Sequence, residues 1–221
     1  MQSQLIRFFN SQLNNWELAR NNFALLSTVQ VREFKIGEVD VQVHFNHSRI
    51  KSSSAKIDAK SIFARPCFLC EKNRPKEQLE ISWRDYVLLV NPYPIFPQHF
   101  TIPHKTHKIQ EILPHFSDML DLAMLLPDFV VFYNGPKSGA SAPDHFHFQA
   151  GTKNFLPLIG QRSTVEKKEI RSSVFLWKNY LRSVVEVVNP CKNEVIDIFR
   201  EIYAKLQTDN AEPMMNVVAF Y

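Results

Sequence analysis

His145-Phe146-His147-Phe148-Gln149 is the stretch on which the reading of this chain turns. Successive side chains on a β-strand point to opposite faces, so this order sends His145, His147 and Gln149 to one side and both phenylalanines to the other. A strand anchored in a core by two aromatic rings holds the groups on its other face in fixed positions. Imidazoles so fixed suit a nucleophile that must meet a phosphorus atom in line. Taken alone, the pair of histidines is better explained by an amphipathic strand with surface imidazoles. The neighbouring residues therefore carry the decision.

Asn134-Gly135-Pro136-Lys137-Ser138-Gly139-Ala140-Ser141-Ala142-Pro143-Asp144 leads into that stretch, following the apolar run Phe129 to Tyr133. Two of the five glycines fall in this loop. Small residues, two serines and a lysine in one turn present N–H groups and hydroxyls to an anion without obstruction, and phosphate is the natural guest. No Gly-Lys-Ser/Thr opens a helix here, so this is not a Walker loop.

The string from Asn134 to Gln149 resembles the signature of the transferase branch of the histidine-triad superfamily, which includes galactose-1-phosphate uridylyltransferase, diadenosine tetraphosphate phosphorylase and GDP-L-galactose phosphorylase. That branch carries Gln where the hydrolases carry a third His. Cys67-Phe68-Leu69-Cys70 with Asn73 resembles the uridylyltransferases' CxxC segment, and Asn91-Pro92-Tyr93-Pro94 followed by Gln98 to His107 resembles the superfamily's strand-and-His segment. Phe45 to Ile50 with Ser52 to Lys56 is similar, more loosely, to a substrate-binding stretch of the phosphorylases. The likeness covers roughly residues 40 to 155.

The resemblance implies an α+β fold, an antiparallel sheet with flanking helices. It also implies two-step nucleotidyl transfer, in which His147 attacks the α-phosphorus of a nucleoside diphosphate sugar or dinucleoside polyphosphate. A neutral imidazole is required, and a hydrogen bond from its other ring nitrogen to a backbone carbonyl would fix the tautomer. Gln149 would hold a phosphate oxygen and, unable to shuttle a proton, would favour a phosphate-bearing acceptor over water. Ser138, Gly139, Ala140 and Ser141 would cradle the phosphates beside Asn134, Lys137 or Arg49 and Lys51 would offset their charge, and Asn91 would meet ribose or base. The alternatives are a hydrolase of the same superfamily and a non-catalytic, zinc-braced nucleotide- or RNA-binding module.

CxxC spacing at Cys67 and Cys70 provides half of a tetrahedral metal site. Likeness to the uridylyltransferases assigns His107 and His145 as the other two ligands of a structural zinc, with His99 and His104 as alternatives and His115 as a helix-surface residue. Reduced core thiols without a metal are the bland reading. Asp144 departs from the resembling pattern, in which Pro runs directly into His, and could shift His145 relative to the ion.

At 221 residues, 45% hydrophobic, the chain can bury a full core. The N-terminus has no basic leader before an apolar run, and the longest apolar stretch, Leu120 to Tyr133, is interrupted by Asp121, Pro127 and Asp128. Neither export nor membrane insertion is expected, and three cysteines suit a reducing, cytoplasmic setting. Net charge is +4, but His47 to Lys76 carries eight Lys or Arg against two Asp or Glu. A nucleotide explains this basic stretch more cheaply than nucleic acid does, because Phe63 and Phe68 are too few for a stacking platform. A homodimer is compatible with all of this.

The periodicity predicts an amphipathic helix over residues 3–26 with a stripe of Leu5, Phe8, Phe9, Leu13, Trp16, Leu18, Ala19 and Phe23. A hairpin around Gly37-Glu38 and a polar loop over 46–56 follow. Strands are expected at Tyr86 to Val90, Phe100 to Ile102 and Phe129 to Tyr133, with a helix over Lys108 to Leu125 kinked at Pro114. Beyond Gly151 the pattern predicts a strand at Ser173 to Trp177, a helix from Asn193 as its cap to Leu206, and a strand-like run from Met214. The resemblance further implies that residues 1–160 form a nucleotidyltransferase half-domain that includes the N-terminal helix, and that 161–221 are the start of a second, degenerate and incomplete one.

Overall fold

The computed structural model describes residues 2–49, 58–189, 191–207 and 211–221. Lys51, and most of the polar loop expected over 46–56, lie outside these residues.

Helices α1 (Gln2–Asn15) and α2 (Glu17–Ala24) replace the single N-terminal helix expected from the periodicity. The break falls at Trp16, whose backbone is extended at φ −122° and ψ 99°. Two asparagines precede it, and Asn15 Nδ2 donates to Ser11 O at 2.9 Å, a side chain competing for a helical acceptor. Leu5, Phe9, Trp16 and Ala19 are buried as the stripe requires, whereas Leu18 is exposed. Strands β1 (Gln30–Ile36) and β2 (Val39–Phe45) form the expected hairpin, with Gly37 at φ +60° in its turn.

The chain then passes through α3 (Ala59–Ala64), capped by the Asp58 carboxylate accepting from Ser61 N. Next come β3 (Ile81–Trp83), β4 (Tyr86–Val90), β5 (His99–Pro103), α4 (Phe116–Leu125), β6 (Phe129–Asn134) and β7 (His147–Thr152). After the short α5 (Pro157–Gln161), strands β8 (Lys167–Arg171), β9 (Val174–Trp177) and β10 (Val185–Val187) make a three-stranded sheet of their own. Helix α6 (Lys192–Leu206) and β11 (Asn216–Ala219) close the chain. The principal sheet is antiparallel and six-stranded, in the order β11-β6-β7-β5-β4-β3, so the fold is α+β.

One face of this sheet carries the core. Leu88 and Val90, Phe100 and Ile102, Val131 and Tyr133, and Phe148 and Ala150 pack against Leu5 and Phe9 of α1, Phe116, Met119 and Leu122 of α4, and Phe199 and Tyr203 of α6. Phe146 and Phe148 are fully buried, worth about 1.5–3 kcal/mol each. The helix expected from Lys108 begins only at Phe116, after a 3-10 turn at Leu113–His115 that contains Pro114. Residues 108–112 are not helical because their backbone groups bond to other segments of the chain. Lys108 O accepts from Phe146 N, Gln110 N donates to Pro143 O, and the Glu212 carboxylate accepts from Ile112 N. Helix α6 starts one residue early with Cys191 as its cap, so Asn193 caps nothing; Asn189 Oδ1 accepts from Cys191 N instead. Residues 161–221 return to the first sheet, where β11 pairs with β6 and Phe199 stacks on Phe116 with ring centroids 3.8 Å apart.

Candidate nucleotidyl-transfer site and metal centre

The register defines the sheet face opposite the core. His147 and Gln149 of β7 share it with Thr101, which pairs with Gln149, and with Phe132, which flanks Gln149 from β6. Regular strand begins at His147 and not at His145, because His145 N donates to Ala142 O in a turn after Pro143. His145 and His147 are buried, not on a solvated surface.

His147 Nδ1 lies 2.8 Å from the carbonyl oxygen of His145. A carbonyl can only accept, so Nδ1 carries the proton and Nε2 presents its lone pair. Burial is the main cause of a pKa held down at about 4, so the ring is neutral at pH 7. Two residues on, Gln149 Oε1 lies 3.0 Å from Nε2 of His99. His99 Nδ1 accepts from Ile95 N at 3.1 Å, which puts the His99 proton on Nε2 and makes Gln149 Oε1 the acceptor. The two donors of the Gln149 amide are therefore turned away from His99. His99 is fully buried and, first by burial and then by the nearby Arg49 charge, has its pKa lowered to about 3.

The loop after β6 is held from the C-terminal side. Gly135 N donates to Met215 O at 3.1 Å, and a Cβ on Gly135 would lie 2.6 Å from that oxygen, which explains the glycine. Gly139 at φ +102° takes the left-handed bend. Ser138 N and Ala140 N both donate to Gly135 O, so these two groups of the expected phosphate cradle close the turn. Lys137 and Gly139 are exposed, Ser138 and Ser141 half-buried, and Ala140 buried. Asn134 sits at the end of β6. Asn91 is engaged internally, donating to Thr101 Oγ1 and accepting from Tyr93 N. Arg49 lines a cavity of about 470 Å³ with His44, Asn46, Phe155 and aliphatic neighbours. That lining includes neither His147 nor Gln149; burial lowers the Arg49 pKa, and its Nη1 has no partner among the described residues.

Cys67, Cys70, His107 and His145 come together, with their ligand atoms all within 4.8 Å of one another. Cys67 Sγ is 3.2 Å and Cys70 Sγ 3.5 Å from His145 Nδ1, and Cys70 Sγ is 3.2 Å from His107 Nδ1. Bonds of about 2.3 Å to sulfur and about 2.0 Å to nitrogen around a tetrahedral ion place such atoms about 3.5 Å apart, so the cluster can hold a metal ion. His145 Nε2 donates to His104 O at 2.7 Å, which leaves Nδ1 for the ion. Burial, then the Cys67 thiol, push the Cys70 thiol up, a shift that a bound cation would reverse. His104 turns its Nδ1 to Thr106 N, and His99 is taken by Gln149, so neither joins the cluster. Asp144 accepts from Arg65 at 2.6 Å, and the Arg65 guanidinium lies over Phe68. It thereby ties the cysteine loop to the His145 turn.

His115 is not a helix-surface residue. It stacks on Phe146 at 4.0 Å between centroids and lies 2.7 Å from the Tyr86 hydroxyl. The residues hardest to find from sequence are Gln110, buried beside His147, and His99 in its role at Gln149.

Solved structures of yeast Ap4A phosphorylase Apa2 are similar to this chain. The enzyme alone is 16% identical with a TM-score of 0.48, covering 93% of this chain and 75% of that one. Its AMP complex gives 16%, 0.48, 94% and 76%, and its Ap4A complex 14%, 0.49, 89% and 75%. No curated protein matches. Residues 8–152, well over half of the chain, match the family described as "Domain of unknown function (DUF4922)", and the protein belongs to that family.

Proposed function

We propose that the protein is a nucleotidyltransferase or phosphorylase acting on a nucleoside diphosphate sugar or dinucleoside polyphosphate through a covalent nucleotidyl-His147. The observation that carries the reading is the buried, neutral His147 with Nδ1 locked on His145 O and Nε2 left as the nucleophile. Nε2 bonds to the α-phosphorus as the bond from phosphorus to its bridging oxygen breaks, and the leaving group departs with that electron pair. An acceptor phosphate oxygen then bonds to the same phosphorus as the Nε2–P bond breaks, returning the neutral imidazole. The Gln149 amide donors, aimed away from His99, bind a non-bridging oxygen. At 3% exposure His147 is shielded from bulk water, which favours transfer over hydrolysis.

Asn134, Lys137, Ser138, Gly139, Ala140 and Ser141 are assigned to the phosphates, Arg49 and Lys51 to charge, and Asn91 to the nucleoside side. Zinc is the ion proposed for Cys67, Cys70, His107 and His145, since two thiolates and two imidazoles suit it. Held by these four side chains, it would brace the turn before His147 and would leave no open position for chemistry.

Incubation with nucleoside diphosphate sugars and dinucleoside polyphosphates, followed by intact-protein mass measurement, tests the reading. Wild type should gain one acid-labile nucleoside monophosphate, and His147→Ala none. Comparable turnover by His147→Ala would overturn covalent catalysis at this residue.

A further inference from the structure

The ladder between β6 and β7 runs from the pair Phe129 and Thr152 to the pair Phe132 and Gln149. Continued by two residues it would pair Asn134 with His147. The side chain of Gln110 stands there instead. Its Oε1 accepts from His147 N at 2.8 Å, and its Nε2 donates to both His147 O and Asn134 O at 3.0 Å. The residue is 3% exposed, so three backbone groups at the mouth of the phosphate loop depend on one primary amide.

On the other side of β7, His147 is opposite Pro103, which has no N–H to give. Alternation along a strand turns both backbone polar groups of His147 toward β6, where Gln110 is their partner. Gln110 also lies three residues after His107, and its own N–H donates to Pro143 O. The metal-ligand segment is thus joined to His147 through Gln110 as well as through the direct link from His145.

We infer that Gln110 is a positioning residue that splints β6 to β7 and fixes the backbone of His147, so that Nε2 meets phosphorus in line. The inference rests on the proposed role of His147. A primary amide is required, because one acceptor and two donors are used at once. Glutamate retains the acceptor but lacks the donors when ionised, and methionine has similar length with neither.

The test uses full-length Gln110→Met and Gln110→Glu, with folding checked by circular dichroism. Nucleotide affinity, the single-turnover rate of adduct formation and residue-resolved amide exchange are compared with wild type. Both variants should bind nucleotide within about threefold while adduct formation falls on the order of 10²-fold, the cost of a small misplacement of a reacting group. Gln110→Met should also lose amide protection at His147 while Leu88 and Phe100 keep theirs. Unchanged protection at His147 overturns the splint, and lost protection with an unchanged adduct rate overturns the positioning role. A wild type that forms no adduct counts against the proposed reaction alone, since amide exchange reads the splint without it.

Discussion

At the scale of single residues, the candidate metal cluster is framed by side chains outside its four ligands. Asp144 accepts from Arg65 with both side chains largely buried, at 16% and 24% exposure, and this pair holds the cysteine loop against the turn that carries His145. Supporting groups of this kind typically contribute about 10- to 100-fold in metal affinity. Asp144→Ala and Arg65→Ala should each weaken zinc binding by about that much, measured by competition with a chromophoric chelator, and the double variant should be little worse than either, because they remove one shared interaction. Wild-type affinity in both single variants would mean that the cysteine loop is held by other contacts. The four cluster residues were legible because CxxC spacing names the two cysteines and the resembling segments name the two histidines. Gln110 was not, because a glutamine between Ile109 and Glu111 reads as an ordinary polar position. What marks it is a strand ladder that stops short, and pairing between distant segments has no local pattern.

At the scale of elements, the face opposite the core is built around a glycine. A Cβ on Gly151 would come within 2.4–2.5 Å of the Phe96 ring, which packs on Phe132, Phe155 and His99. Gly151→Ala must displace that ring, and overpacking of this kind typically costs about 1–3 kcal/mol. Its urea midpoint should fall, while that of Gly160→Ala, with nothing within 4 Å of the added carbon, should hold or rise. Equal stability of Gly151→Ala and wild type would show that Phe96 yields without cost. Strands were the best-read elements, since the short apolar runs Tyr86 to Val90 and Phe129 to Tyr133 sit next to clear punctuation. Helix bounds were read less well. Apolar spacing over 108–125 fits a helix, but Lys108 O and Gln110 N are spent on Phe146 and Pro143, and Ile112 N on Glu212. Gln12 and Asn22 were likewise invisible in the apolar stripe, yet their amides fasten α1 and α2 to Glu77, Leu79 and Pro92.

At the scale of the whole molecule, distant segments meet on a few polar side chains, half-buried Glu212 among them. Glu212, from the C-terminal run, accepts from Tyr133 Oη and Ile112 N, both at 2.6 Å, and so joins β6, the Gln110 segment and the chain's end. Among the described residues no helix is long and apolar enough to cross a membrane. The fold also holds two imidazoles neutral, His99 fully buried and His115 half-buried against Phe146. His99 is held at about 3 and His115 at about 4, in both cases chiefly by burial. Unfolded histidines titrate near ~6.5, so below that value the unfolded chain binds protons that the folded chain refuses. Stability therefore falls as pH drops through about 6.5, and these contributions level off only below the folded values. Denaturant midpoints taken between about pH 7 and pH 5, above the range in which carboxylates titrate, should decline in wild type. His99→Gln and His115→Gln should be less stable at pH 7 but should decline less steeply. Acid release of a bound metal ion would add the same slope to all three proteins, so the difference between variant and wild type isolates the two rings. Parallel slopes in all three would show that His99 and His115 take up protons in the folded protein as readily as in the unfolded chain, and that something else in the molecule sets its acid limit.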